Sequence, residues 1–300
     1  MSQFTTTSNY PPTVSYRVPF LTVTIDLYGK TLQQVESDAH DVNRIGRTPT
    51  GLALWPSGKL VSDFLACAGG NPSSVIELGC GLGLCGLVSQ VLMLHSNRTS
   101  SCSPCIVVLT DADDETLLAA QTNSQQYPQT VCDRLDWCSI HDRDRVKQYH
   151  AAEGFDRVVA SDVIYEMTAS WVPDLFRTAK SFMVVPGGIF ILGIQRRTTS
   201  LESVKQVAHE EGLEGGQFVS NFLLDIFNNR LEVSNDNDDN HNESRGEDAS
   251  DNIEDDTGSS SLLWSAAVLV YWHANDKIGK QIAIQLCATA IENSHTLDDS

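Results

Sequence analysis

The stretch Val75-Ile-Glu-Leu-Gly-Cys-Gly-Leu-Gly-Leu-Cys-Gly86 decides the fold. Val75–Leu78 reads as a short buried strand that runs directly into glycines at 79, 81 and 83. Glycine permits a tight turn and lets a ligand approach the main chain closely. The apolar run Leu84–His95 then reads as a helix. Its N-terminus, with unpaired N–H groups, faces whatever the turn holds. The same letters contain Gly81-x-Gly83-x-x-Gly86, a spacing that nicotinamide and flavin enzymes also use, so the loop alone leaves an oxidoreductase open.

Downstream, the strand–helix alternation continues. Ile106–Thr110 is a second strand, followed by a helix over Asp113–Asn123, and Val131–Trp137 is a third. Phe155–Ser161 is a fourth strand and Trp171–Phe182 the helix after it. Pro186-Gly-Gly188 turns the chain into a fifth strand, Ile189–Ile194, and Leu201–Glu211 is helical. This rhythm predicts an α/β fold: a Rossmann-like, seven-stranded, mostly parallel sheet with helices on both faces. The last two strands are expected at Phe218–Phe227 and Leu262–Trp272, as an antiparallel hairpin. Its loop includes Ser234–Ser261, rich in Asp, Asn, Ser and Gly, and is expected to be disordered.

Upstream, Leu60, Val61, Phe64 and Leu65 recur at helical spacing within Leu52–Ala66, and Pro56 suits the first turn. Val14–Leu27 is β-rich and is expected to supply one or two edge strands, with Ser37–Pro49 a loop. Ile282–Ile291 suggests a short helix near the end. The expected division is therefore an N-terminal extension (1–50), a main domain (51–275) with an acidic insertion (234–261), and a C-terminal tail (276–300).

The net charge of −19 argues against general binding to nucleic-acid backbones. About half of it lies between Glu232 and Asp256, where eleven acidic residues face one base, Arg245. No apolar run is long enough to cross a membrane, and Met1–Pro12 is polar, unlike a secretory signal. Cys67, Cys80, Cys85 and Cys287 sit in apolar or glycine-rich stretches and read as buried thiols of a reducing compartment, cytosolic or nuclear. Cys102 and Cys105 form a lone CxxC without two further ligands nearby, and the histidines have no metal-ligand spacing, so no metal is expected.

Asp111 ends the second strand, where an acid accepts both hydroxyls of a ribose. It could instead cap the next helix, although Asp113 and Asp114 are better placed. Here the sequence resembles a known family. Glu77-Leu-Gly-Cys-Gly-Leu-Gly83 and Thr110-Asp111 resemble the first motifs of class I S-adenosylmethionine methyltransferases. More narrowly, the chain resembles the protein-lysine methyltransferases of methyltransferase family 16. That likeness rests on Thr50-Gly-Leu-Ala-Leu-Trp-Pro-Ser-Gly-Lys-Leu60, Leu135-Asp-Trp137, Phe155-Asp-Arg-Val-Val-Ala-Ser-Asp-Val-Ile-Tyr-Glu166 and Pro186-Gly-Gly188. It spans about residues 48–195.

The resemblance implies S-adenosylmethionine as cofactor. It assigns cofactor binding to Trp55, Glu77, Gly79, Gly81, Gly83, Asp111, Asp136, Trp137 and Ser161. Glu77 would reach the methionine amino end or support the loop, and Asp111 would hold the ribose. Asp136 and Trp137 would flank the adenine, and Trp55 would close the pocket. Catalysis falls to Asp162 and Tyr165, at the entrance where a target lysine meets the methyl group. The resemblance also implies transfer to a lysine of a protein substrate, a basic one if the acidic segment attracts it; a class I methyltransferase acting on a small molecule, arginine or histidine, or a non-catalytic cofactor-binding regulatory protein, stays open, and a monomer independent of membranes and nucleic acid is expected. Plain packing remains open for the two tryptophans, capping and packing for Asp162 and Tyr165, and solvation for Glu166.

Overall fold

Strand and helix alternate in the computed structural model much as they do in the sequence pattern. It describes residues 13–40, 50–96, 105–195, 200–216 and 266–294. Two short strands, β1 (Val14–Arg17) and β2 (Thr24–Leu27), precede α1 (Leu32–His40), a 3₁₀ turn at Thr50–Leu52 and α2 (Pro56–Ala68). The central run is β3 (Ser74–Leu78), α3 (Leu84–Ser96), β4 (Ile106–Asp111), α4 (Asp114–Ser124), β5 (Thr130–Arg134) and α5 (Ile140–His150). Then come β6 (Arg157–Ser161), a 3₁₀ turn at Glu166–Trp171, α6 (Val172–Phe182), β7 (Ile189–Gln195), α7 (Leu201–Glu210), β8 (Leu213–Gly215), β9 (Ala266–His273) and α8 (Lys277–Ser294).

Seven of these strands form one sheet in the order β5-β4-β3-β6-β7-β9-β8. β5, β4, β3, β6 and β7 run parallel, and β9 is antiparallel to both β7 and β8. Chain order reverses between β3 and β6. Open α/β sheets bind ligands at such a point, beyond the carboxyl ends of the strands. One apolar cluster packs α2, α3, α4 and α8 against one face of the sheet, and a second packs α5, α6 and α7 against the other. Both faces are covered, so β7 is buried along its whole length, as parallel strands require.

The register at β3 fixes the site. Ile76 and Leu78 join the cluster beneath α5 and α6, and Val75 joins the one beneath α3. Glu77, two residues from Val75, shares that face and points toward α3. Helix α3 lies so close to β4 that a Cβ on Gly86 would sit 2.3 Å from Leu109 Cδ2 and force that side chain to move.

Four expectations need correction. The N-terminal strands do not extend the edge of the main sheet. They pair with each other, Val14 opposite Leu27, and bury Tyr16, Val18, Ile25 and Leu27 in the first cluster. Leu32–His40 is helical where a loop was expected from Ser37, while 41–49 lie outside the described residues. The partner of β9 is β8, a three-residue strand directly after α7. Phe218–Phe227 and the acidic 234–261 lie outside the described residues, as do Cys102 and the chain beyond 294. The helix expected at Ile282–Ile291 is present but longer, Lys277–Ser294, and buries Ala283, Leu286, Cys287 and Ala290 beside α2, with Asn293 donating to the Cys67 carbonyl at 2.8 Å. One further helix, α5, was not expected at all. Among the described residues, no helix is long and apolar enough to cross a membrane.

Candidate active site

A cavity of about 620 Å³ opens at the carboxyl ends of β3, β4, β5 and β6. Such a volume suits a small-molecule site. Of the residues expected at the site, Trp55, Gly79, Gly81, Asp111, Asp136, Trp137, Ser161, Asp162 and Tyr165 all line it. Glu77 and Gly83 do not.

The loop after β3 is shaped by its glycines. Gly79 has φ +67°, and a Cβ there would meet Val163 Cγ1 at 2.7 Å and the Trp137 ring at 3.3 Å. Conformation and space thus both demand glycine. The loop is tied to the neighbouring strand by the Cys80 amide donating to the Thr110 carbonyl (2.8 Å), and the Thr110 hydroxyl donates to the Glu77 carbonyl (2.6 Å).

Asp111 takes the Gly81 amide on one oxygen (3.3 Å) and the Asp113 amide on the other (3.0 Å). Burial outweighs these bonds and pushes its carboxyl above the usual range. The cap of α4 is Asp113, whose carboxylate accepts from the Thr116 amide at 2.8 Å. Asp111 is therefore available to the cavity and is not spent on the helix. Asp136 folds back on its own turn, accepting from the Cys138 amide at 2.9 Å. Trp137 packs its ring on the Gly79 turn. Both Trp55 and Trp137 are half-buried on the wall, not sealed in the core.

Glu77 is 1% exposed, and its Oε2 accepts from the Gly86 amide at 2.8 Å, inside the first turns of α3. Burial drives its carboxyl up to about 8. Of the two roles expected for it, the geometry corrects the first. The side chain does not reach the cavity but fastens the helix behind the loop. Gly83 packs against Leu109 in the same layer.

On the opposite wall, Asp162 has φ +55°, a conformation Asp tolerates better than most residues, and its amide donates to the Gly193 carbonyl at 3.0 Å. Left-handed backbone of this kind concentrates at functional sites. Tyr165 opens the following 3₁₀ turn, with its amide donating to the Thr168 hydroxyl (2.9 Å), which itself donates to the Val163 carbonyl (2.7 Å). Trp55 stands at the N-terminus of α2 just before Pro56, and its indole Nε1 donates to the Thr50 carbonyl at 2.9 Å. The Thr50 and Tyr165 hydroxyls lie 3.5 Å apart. Ser161 ends β6, with the Cys85 thiol 3.6 Å behind it.

Sequence reading missed Thr50, Arg134, Cys138 and Trp171 on the wall. Thr50 and Arg134 flank motif residues and could have been included on that ground. Trp171 carried no signal beyond being an aromatic at a helix start. Asp111, Asp113, Asp136 and Asp162 face one base, Arg134, which is itself held by Asp142 at 3.1 Å. The lining therefore favours a ligand that carries positive charge.

A glycine turn at the switch point, an acid at the end of the next strand and an aromatic after the third define an α/β enzyme that binds a nucleoside cofactor. Its family follows from sequence comparison. The family model described as lysine methyltransferase, methyltransferase family 16, matches residues 36–209, and the chain belongs to that family of S-adenosylmethionine-dependent methyltransferases.

Among solved structures, a TehB-like SAM-dependent methyltransferase from Corynebacterium glutamicum is similar at 13% identity and a TM-score of 0.44, over 80% of this chain and 98% of that one. The N-methyltransferase NodS from Bradyrhizobium japonicum, in complex with S-adenosyl-L-homocysteine, is similar at 14% identity and a TM-score of 0.41, over 80% and 97%. No curated protein sequence matches the chain significantly.

The residues present fit S-adenosylmethionine. The cavity has the volume, the glycine turn gives close main-chain approach, Asp111 is placed for a diol, and the acidic lining suits a sulfonium cation.

Proposed function

We propose that the protein transfers methyl groups from S-adenosylmethionine to the side-chain amine of lysine in a protein substrate. The observation that carries this reading is the wall formed by Trp55, Asp162 and Tyr165, two aromatic rings and a carboxylate beside the glycine turn. Aromatic faces and carboxylates together recognise alkylammonium groups. The family's description as lysine methyltransferase supports the same assignment.

Bound S-adenosylmethionine supplies a methyl group already activated by its sulfonium charge. The chain's task is then to hold, orient and desolvate. Gly79 and Gly81 would offer main chain to the cofactor, Asp111 would take its ribose, and Asp136 and Trp137 would flank its adenine. Trp55 and Tyr165 exclude water and hold the amine in line, which accounts for much of the acceleration available to such a transfer. The entering ammonium gives a proton to solvent, its neutral nitrogen takes the methyl as the sulfonium becomes a thioether, and Asp162 stabilises the positive charge that builds on that nitrogen.

We further propose that the enzyme works as a monomer in the cytosol or nucleus on a basic protein, without contacting membrane or nucleic acid. Its net charge of −19 and its buried thiols, Cys67, Cys80, Cys85, Cys105 and Cys287, support this setting.

The test is labelled S-adenosylmethionine with proteome from cells lacking the protein, followed by mass spectrometry. Label on lysine of one or a few proteins is expected. Label confined to small molecules, arginine or histidine would overturn the lysine assignment.

A further inference from the structure

Asn123 lies on α4, behind the cavity wall, and is 3% exposed. Its side-chain amide makes three hydrogen bonds. Oδ1 accepts from the Tyr28 amide at 2.8 Å, and Nδ2 donates to the Tyr28 carbonyl at 3.3 Å and to the Leu82 carbonyl at 3.0 Å. Leu82 belongs to the glycine loop and lines the cavity. Tyr28 follows β2 and precedes the stretch that the family model matches. One side chain therefore joins the N-terminal segment to the cofactor loop.

We propose that Asn123 is a positioning residue for S-adenosylmethionine, and that it acts by bracing Tyr28–Lys30 between the two segments that border the cofactor. The inference concerns the cofactor alone and goes beyond the lysine reading without using it.

The connection continues past Tyr28. The Lys30 amide donates to the Leu52 carbonyl at 2.7 Å. Leu52 sits inside the strip Thr50–Trp55, whose other members all line the cavity. Between these two attachments Gly29 is wedged tightly. A Cβ there would fall 2.6 Å from the Leu52 carbonyl oxygen and 2.7 Å from Leu82 Cδ2. Strip and loop meet again at Gly81, where a Cβ would stand 3.1 Å from the Gly51 carbonyl oxygen. Both borders of the cavity are thus referenced to residues 28–30, and Asn123 holds those residues in place.

The residue type suits the task. An amide carries an acceptor and two donors on one short planar group, whereas a carboxylate only accepts and a hydroxyl has a single proton to give. In a buried site no water replaces a lost donor, so its removal leaves the Leu82 carbonyl unpaired and the loop free to shift. A gap held open in the bound geometry spares the cofactor the cost of ordering it.

The experiment measures binding of S-adenosylhomocysteine to the full chain by calorimetry, with folding checked by circular dichroism. Asn123→Ala should weaken binding roughly tenfold. Asn123→Asp keeps the shape and the acceptor for the Tyr28 amide but loses both donated bonds, and should weaken binding in the same direction. In both variants the Trp55 indole N–H resonance, assigned with Trp55→Phe, should move even without ligand. Tyr16→Phe is the control. It removes another tie of the N-terminal hairpin, the hydroxyl donated to Asp63 Oδ1 at 2.6 Å, and should lower Tm without changing affinity. Hydrogen exchange on the wild type needs no variant to fold. Ligand should slow the Tyr28 and Lys30 amides more than the Val18 amide, which bonds within the hairpin to the Val23 carbonyl.

Wild-type affinity in folded Asn123→Ala and Asn123→Asp, an equal loss in Tyr16→Phe, or Tyr28 and Lys30 amides slowed no more than Val18 would overturn the brace. None of these readouts uses a methyl acceptor. The lysine reading can therefore fail with the brace intact, and the brace can fail with that reading intact.

Discussion

The two walls of the cavity are built by different means. The cofactor wall comes from the ends of adjacent strands β3, β4 and β5, so sheet register places Gly79, Asp111 and Asp136 almost automatically. Many main-chain bonds hold it. The opposite wall, to which the proposed function assigns the amine, joins Thr50 and Trp55 to Asp162 and Tyr165, segments more than a hundred residues apart, and the hydroxyl contact across it is a single 3.5 Å approach. The first wall is set by the fold, while the second is set by a few side chains. Substitutions should therefore separate cleanly into those that change cofactor affinity and those that change turnover.

The largest effect expected is on turnover. Asp162→Ala should lower kcat by ~10³-fold with S-adenosylmethionine affinity kept within a few-fold, measured by single-turnover methylation and calorimetry. Tyr165→Ala should act in the same direction. Wild-type rates in both variants would show that the amine wall is decoration and break the comparison.

Next is Glu77, which belongs to neither wall. Its carboxyl is raised by burial from 4.5 to about 8, so the fold keeps it protonated while the unfolded chain ionises it. Stability from this residue is thus present below pH ~4.5 and declines as pH rises, levelling off above about 8. Relative to Glu77→Gln, which does not titrate, the wild type should lose on the order of 1.4 kcal/mol per pH unit across that window. Denaturant unfolding at pH 5 and pH 8 measures it, and identical slopes would show that Glu77 is ionised in the fold.

Asp111→Ala tests the cofactor wall. It should weaken S-adenosylmethionine by about 2 kcal/mol, with kcat at saturation changed far less. Affinity unchanged by calorimetry would remove Asp111 from the site. The smallest effect is expected from Trp55→Phe, which keeps a ring but loses the bond to the Thr50 carbonyl, at about 1 kcal/mol. A change in KM for substrate without one in cofactor Kd would place Trp55 with the amine wall, and the converse would move it across.

The same contrast explains what could be read in advance. Strands β3, β4, β6 and β7 announce themselves because each is strongly apolar and bounded by Gly, Pro or Asp. Helix α5 does not, since only Asp142 and Val146 of its eleven residues are buried, too few to make a periodic stripe. Strand β8 is three residues long, below any pattern. Asp111 was legible because a strand end fixes its direction. Glu77 kept two roles open because a strand buried on both faces hides which way each side chain points, and the fold favours the support of the loop over reach into the cavity. Thr50 was quoted within a motif but given no role. Its importance depends on a contact with Tyr165 that only the folded chain creates.

Helix α8 bears on the order in which the protein can be made. It covers a side of α2 with Leu286, Cys287 and Ala290, all in the first cluster, and α2 has Trp55 at its start. During synthesis α2 leaves the ribosome long before α8 does. The wall that carries Trp55 thus rests on a helix whose cover is synthesised after the strands β3 to β7, so those strands can form before that wall is complete.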